Sequence, residues 1–182
     1  IARLLEETQR VMEMWHRLKE RYEQRTVEMK ELKERLSLDS LTGLLNRDGV
    51  VNAFGRVADN MRRTVKRVRP QDTDKSSSPE ICILFVDVDK FKEVNDVYGH
   101  AIGDEVLKII AGTMQDSFRK GDIPGRIGGD EFLVVLPNAS VTEARAVAEK
   151  LRSNVEHHPK FRELGVPVTV SIGVAKTKLD DS

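Results

Sequence analysis

Arg126-Ile127-Gly128-Gly129-Asp130-Glu131-Phe132, running on into Leu133-Val134-Val135-Leu136, is the stretch on which the fold turns. Two glycines and two carboxylates stand between apolar runs, the pattern of a tight hairpin with two acids at its tip. Gly128 and Gly129 are expected to supply positive φ in the turn and to let a bulky ligand approach the backbone. Adjacent carboxylates repel, so Asp130 and Glu131 make a poor turn unless a cation neutralises them. On these residues alone a solvated acidic turn is an equal reading.

A second acidic stretch shifts that balance. Ile81-Cys82-Ile83-Leu84-Phe85-Val86-Asp87-Val88-Asp89 is apolar on both faces until its end, as a central strand covered on both sides should be. Its carboxylates come where the strand leaves the sheet, the usual place for a ligand crevice in α/β proteins. If this strand neighbours the hairpin, Asp87 and Asp130 can share one hard divalent cation. Donor sets made only of oxygen suit Mg²⁺, which normally works with phosphates.

Gly128-Gly129-Asp130-Glu131-Phe132 resembles the signature of the GGDEF family, and four further stretches extend the likeness. Asp39-Ser40-Leu41-Thr42-Gly43-Leu44-Leu45-Asn46-Arg47 is similar to the family's entry motif. Phe85 to Lys92 resembles its metal strand. Asn95-Asp96, Tyr98-Gly99-His100 and Gly103-Asp104 resemble its nucleotide loop, and Ser171-Ile172-Gly173-Val174-Ala175 its late strand. The match covers about residues 38–176 in the right order. The resemblance implies a diguanylate cyclase, which condenses two GTP into cyclic di-GMP. It also implies a mixed, mainly antiparallel five-stranded sheet of the palm type, α/β (α+β) in class and flanked by helices.

Composition is consistent with this. The 182 residues suffice for one domain with a core plus an appendage. Lys plus Arg and Asp plus Glu number 30 each, so no net field points to nucleic acid or an anionic membrane. One cysteine, Cys82, cannot form an internal disulfide and reads as a buried, inert thiol, which fits a reducing, cytoplasmic setting. No apolar run approaches the ~20 residues of a membrane span.

Residues 1–37 contain no proline or glycine and read as a coiled-coil dimerisation and signalling helix on the order of 50 Å long. Ile1, Thr8, Trp15, Tyr22, Met29 and Leu36 take the a positions, and Leu4, Val11, Leu18, Arg25 and Leu32 the d positions. Only Thr8 and Arg25 interrupt the apolar seam. The expected state is a parallel homodimer, against a single helix folded back on the domain. Because the chain opens inside this pattern, an upstream sensor is expected outside the sequence.

Residues 38–182 form the second domain. The linker around Asp39, Thr42 and Gly43 is a capped turn and hinge, and the resemblance implies that Leu41 lines the guanine pocket and that Asp39 pairs with Arg47. Helices are expected over 48–68 (Val50, Val51, Phe54, Val57, Met61 and Val65 inward), 104–118 and 142–156, a loop over Pro70 to Pro79, and a strand over 166–175. Lys92 either meets a polyphosphate or is a solvated lysine. Asp104 is either a charge at a helix N-terminus or an acceptor for guanine N1–H and N2–H₂, and Asn95 either a turn former or a reader of the same base. The likeness favours guanine for both.

By the same likeness, Mg²⁺ (or Mn²⁺) is held by Asp87, the Val88 carbonyl, Asp130 and Glu131, with Asp130, Glu131 and Asp87 catalytic and Gly128 and Gly129 beside GTP. Arg119-Lys120-Gly121-Asp122 stands in the register of the family's inhibitory RxxD motif, which implies a cyclic di-GMP site at Arg119 and Asp122. Family members continue with a helix carrying a basic residue for the phosphates, which has no counterpart before Ser182, so the C-terminal end reads as incomplete. The alternative function is a catalytically silent receptor for cyclic di-GMP or GTP. A dimerising scaffold without nucleotide binding is a third reading.

Overall fold

The computed structural model of the chain describes residues 2–35, 37–67 and 80–177. It divides into two units, residues 1–36 and 37–182. The first is a single helix, α1 (Ala2–Arg35), as the unbroken run of helix formers requires. Among its a and d residues, Trp15, Leu18, Tyr22 and Met29 are all more than half exposed. Lys19 lies over the Trp15 ring, 5.5 Å from its centroid.

The second unit runs α2 (Arg47–Arg67), β1 (Ile81–Val88), α3 (Phe91–Tyr98), α4 (His100–Ser117), β2 (Ile123–Arg126), β3 (Glu131–Pro137), α5 (Val141–Glu156), α6 (Pro159–Leu164) and β4 (Val170–Thr177). The sheet order is β2-β3-β1-β4 and every pairing is antiparallel. Among the described residues it has four strands, where five were expected. β4 also begins at Val170 and not at Val166, because Pro167 has no N–H to give a ladder. Val166 and Val168 are nevertheless buried. Pro124 is accommodated in β2 because β2 is an edge strand.

Period-2 alternation sorts β1 between two apolar clusters. Cys82, Leu84, Val86 and Val88 pack in the main core with Val106, Leu107, Ile110 and Met114 of α4 and Ala144, Ala148, Leu151 and Val155 of α5. Ile81 faces the other way, against Val50, Ala58 and Met61 of α2. β1 is therefore doubly covered only at its start. Further along the same face Phe85 is 51% exposed and Asp87 is exposed, so the end of the strand is open. Val51, expected inside, is 63% exposed, and Ala53 and Ala58 are buried instead. The expected inward Val65 side chain and the Pro70 to Pro79 loop lie outside the described residues.

α5 opens with a capping box. Ser140 Oγ accepts from the Glu143 N–H, and the Ser140 N–H donates to Glu143 Oε2 at 2.8 Å. The β2–α2 contact is closer than any side chain would permit. A Cβ on Gly125 would lie 2.1 Å from Val50 Cγ2 and 2.7 Å from the Leu45 carbonyl oxygen. One neighbour is a stiff β-branched side chain and the other is backbone, so neither gives way cheaply. Gly125→Ala is expected to destabilise the domain by about 1–3 kcal/mol, read as a lower denaturant midpoint at unchanged slope.

Candidate active site

The hairpin forms as the sequence requires, with a turn at Ile127–Asp130 between β2 and β3. The Ile127 N–H donates to the Glu131 carbonyl at 2.9 Å. Gly128 and Gly129 do not adopt positive φ, contrary to expectation. The Glu131 side chain folds back over Gly128, where a Cβ would lie 2.4 Å from Oε2, so a larger residue there would displace that carboxylate.

The pairing of β1 with β3 brings the acids together. Asp87 stands opposite Glu131, and the Val88 N–H donates to the Asp130 carbonyl at 3.3 Å. Burial, then the charges of Asp130, Glu131 and Asp89, push the Asp87 carboxyl above its ordinary value. Such a cluster is short of positive charge. Among the described residues no three His, Cys, Asp or Glu side chains form a ready-made metal cage. Mg²⁺, however, is ordinarily held by one or two carboxylates together with water and substrate phosphates. Asp87, Asp130 and the Val88 carbonyl fit that partial donor set, with Glu131 beside them.

α3 and α4 meet at Gly99, which caps both with φ 85° and ψ 157°, a conformation essentially reserved for glycine. α4 starts at His100, so Asp104 lies beyond its first turn and the helix-charge reading loses its basis. The reversal brings Asn95 against Gly103, where a Cβ would stand 2.0 Å from Asn95 Oδ1. Asn95 is half-buried, while Asp104 and Lys92 are exposed. Leu41 packs against the main core, as do Phe91 and Ile102. Gly103→Ala should displace the Asn95 carboxamide, read as a shifted Asn95 side-chain amide signal in an NMR spectrum. Alanine is the better helix former, so thermal stability should change little, and the two measurements together isolate the displacement.

Arg119 and Asp122 are also brought together. Arg119 Nε donates to Asp122 Oδ1 at 3.1 Å, and Nη2 donates to the Pro137 carbonyl at 2.7 Å. The guanidinium has five N–H donors, so three remain. The groove of about 460 Å³ between α5 and β4, lined by Arg145, Ala148, Glu149, Arg152, Ile172 and Val174, holds none of the expected site residues.

The partners of two residues near the site were not anticipated from the sequence. Arg126, not Arg47, pairs with Asp39: Nη1 donates to Asp39 Oδ1 at 3.0 Å. Its Nε and Nη2 both donate to the Gly129 carbonyl, at 3.1 and 2.7 Å, which ties the entry turn to the residue before Asp130. Burial opposes ionisation of Asp39 but is outweighed by hydrogen bonds from Thr42 and Arg126 and by the Arg126 charge, so its carboxyl lies below the ordinary value. The second is Asp89, which accepts from Thr169 Oγ1 and Ser171 Oγ, each at 2.6 Å. A polar residue at or just past the end of a strand was the local signal.

Comparison with known proteins agrees with this geometry. Residues 36–182 match the family described as diguanylate cyclase, GGDEF domain. The chain is 34% identical over 139 residues to a probable diguanylate cyclase, DgcT, of Escherichia coli K12, covering 74% of this chain and 29% of that protein. It is 35% identical over 139 residues to the diguanylate cyclase DosC of the same strain, covering 76% and 27% respectively. It thus spans between a quarter and a third of these relatives' lengths. Among solved structures it resembles the coiled coil and GGDEF domain of DgcB from Caulobacter crescentus in complex with c-di-GMP. There the TM-score is 0.65 at 25% identity, covering 91% of this chain and 85% of that one. The hairpin carrying Asp130 and Glu131, the strand end carrying Asp87 and the family match over 36–182 lead to one conclusion: the chain belongs to the GGDEF-domain diguanylate cyclase family.

Proposed function

We propose that this chain joins two GTP into cyclic di-GMP with release of two pyrophosphates, each of two domains holding one nucleotide. The observation that carries the reading is the β1–β3 register, which sets Asp87 opposite Glu131 with Asp130 bonded alongside through its carbonyl. Asp87, Asp130 and the Val88 carbonyl hold a divalent cation, Mg²⁺ or Mn²⁺, which supplies charge stabilisation at the phosphates and acidifies the attacking hydroxyl. Asn95 and Asp104 recognise the guanine edge, Leu41 bounds the base, and Lys92 meets the polyphosphate beside Gly128 and Gly129. Glu131 takes the proton of the partner nucleotide's 3′-hydroxyl as that oxygen bonds to the α-phosphorus and the bond to pyrophosphate breaks. One domain supplies half of this arrangement, so a dimer through α1 is part of the reading. The coiled coil in the DgcB structure's description supports it.

The test is incubation of the purified chain with GTP and Mg²⁺, followed by mass analysis, with ATP as control. Cyclic di-GMP from GTP alone is expected. Nucleotide binding without turnover would favour a receptor, and no binding a scaffold.

The pair Arg119 and Asp122 is the basis for a product site at the RxxD motif. Arginine forks onto phosphate and stacks on guanine, and the three free donors of Arg119 suit that use. Arg119→Ala should raise the cyclic di-GMP concentration that halves the rate by tenfold or more, on the order of 1.4 kcal/mol or above, with the initial rate unchanged.

A further inference from the structure

We propose that Asp89 is a positioning residue, clamped by two hydroxyls of the β4 side so that the turn launching α3 is held in place. β1 ends at Val88, but its ladder with the β4 side continues one residue, the Asp89 N–H donating to the Thr169 carbonyl at 3.0 Å. On the side chain, Thr169 Oγ1–H donates to Oδ2 and Ser171 Oγ–H donates to Oδ1, each at 2.6 Å. These are short, charge-assisted bonds, and they engage both carboxylate oxygens. Thr169 and Ser171 are two residues apart in extended chain and so share a face. In the β1–β4 register Ser171 is also the partner of Asp87. The hydroxyls draw Asp89 toward β4, on the opposite side of β1 from the hairpin acids.

The residue that follows gives this clamp its use. Lys90 has φ 56° and ψ 30°, the left-handed region that residues other than glycine seldom occupy. Its conformation must be imposed by its neighbours. Behind it is the Asp89 clamp; ahead of it the Val94 N–H donates to the Lys90 carbonyl at 3.2 Å. The Lys90 turn decides the direction in which α3 leaves the sheet, and α3 carries Lys92 and Asn95. Val88, whose carbonyl the cyclase reading assigns to the cation, directly precedes the clamp. Only the kinetic part of this inference rests on that reading.

Three variants test it: Asp89→Ala, Asp89→Asn, and Thr169→Val combined with Ser171→Ala. In the nucleotide-free, metal-free protein, amide hydrogen exchange at residues 90–95 should accelerate about tenfold in Asp89→Ala and in the double variant, with the β1–β3 ladder unaffected. In turnover both should lose about ten- to a hundredfold in kcat/KM for GTP, mostly through KM, the scale of removing a supporting partner. Asp89→Asn should stay within about threefold of the parent, because a carboxamide can accept from one hydroxyl and donate to the other. Unchanged exchange at 90–95 in the double variant overturns the clamp. So does Asp89→Asn as inactive as Asp130→Ala, which would make Asp89 a ligand whose charge is needed. A parent chain that forms no cyclic di-GMP counts against the cyclase reading instead, and the exchange result then decides the clamp alone.

Discussion

Asp130→Ala should lower cyclic di-GMP formation by at least about 10³-fold while leaving the domain as stable as the parent, or more so. The two halves of this result have one cause. Asp130 contributes the largest of the three carboxylate repulsions that, after burial, push Asp87 up. A raised carboxyl binds protons more tightly folded than unfolded. Between the ordinary aspartate value of 3.8 and the raised folded value, the native state therefore holds more protons, and stability falls as pH rises through that window. Without a divalent cation, this decline should be smaller in the variant. With Mg²⁺ the order reverses, because a ligand that binds only the folded state stabilises by RT ln(1 + [L]/Kd) and the variant has lost part of the donor set. Product mass measures the first half, and melting temperatures at pH 4 to 8, with and without Mg²⁺, the second. Parental turnover in the variant would remove Asp130 from the chemistry.

What was legible in the sequence was local. The hairpin and β1 could be read because strand period and turn composition act over a few residues, and both acids sit at element ends. The helices at 104–118 and 142–156 followed from helical spacing, and Val106, Leu107, Ile110 and Met114 at that spacing are buried, with Ile109 and Thr113 buried as well. Contacts set by the closed fold could not be read in this way. Asp39 and Arg126 are 87 residues apart, and nothing in the intervening composition encodes a 3.0 Å approach; the resemblance implied Arg47 as the partner instead. Gly128 was expected to take a positive φ, and it does not. A glycine that sets a backbone angle and one that merely lies under another side chain, as Gly128 lies under Glu131, are the same letter. Lys90 in the left-handed region carries no compositional mark at all. The start of α4 was placed at Asp104 because an acid before an apolar-periodic run looks like a first turn. In the fold Gly99 sets that boundary, four residues before Gly103.

The remaining large effect concerns α1. If the proposed dimer forms through α1, Leu18→Glu combined with Tyr22→Glu should convert it into a monomer and lower the rate per chain about 10²- to 10³-fold at micromolar protein. Trp15, Leu18, Tyr22 and Met29 are 58%, 66%, 73% and 55% exposed, and they recur at the spacing of a coiled-coil seam. Burying such a side chain yields about 1.5–3 kcal/mol, and a symmetric pair of helices buries each position twice. That sum is of the size needed to offset an association cost of roughly 4–15 kcal/mol. Two glutamates per chain at adjacent d and a positions would place four like charges in the seam. Glutamate is itself a good helix former, so α1 should keep its helicity, and circular dichroism can verify this. A short tether holds two domains at an effective concentration in the millimolar range, roughly a thousandfold above a micromolar solution. The variant's rate should therefore become second order in protein, whereas GTP binding, which needs one domain, should be unchanged. Sedimentation velocity and a dilution series of turnover measure both. A variant that sediments as a monomer yet retains the parental rate per chain would mean that the two nucleotides meet without α1.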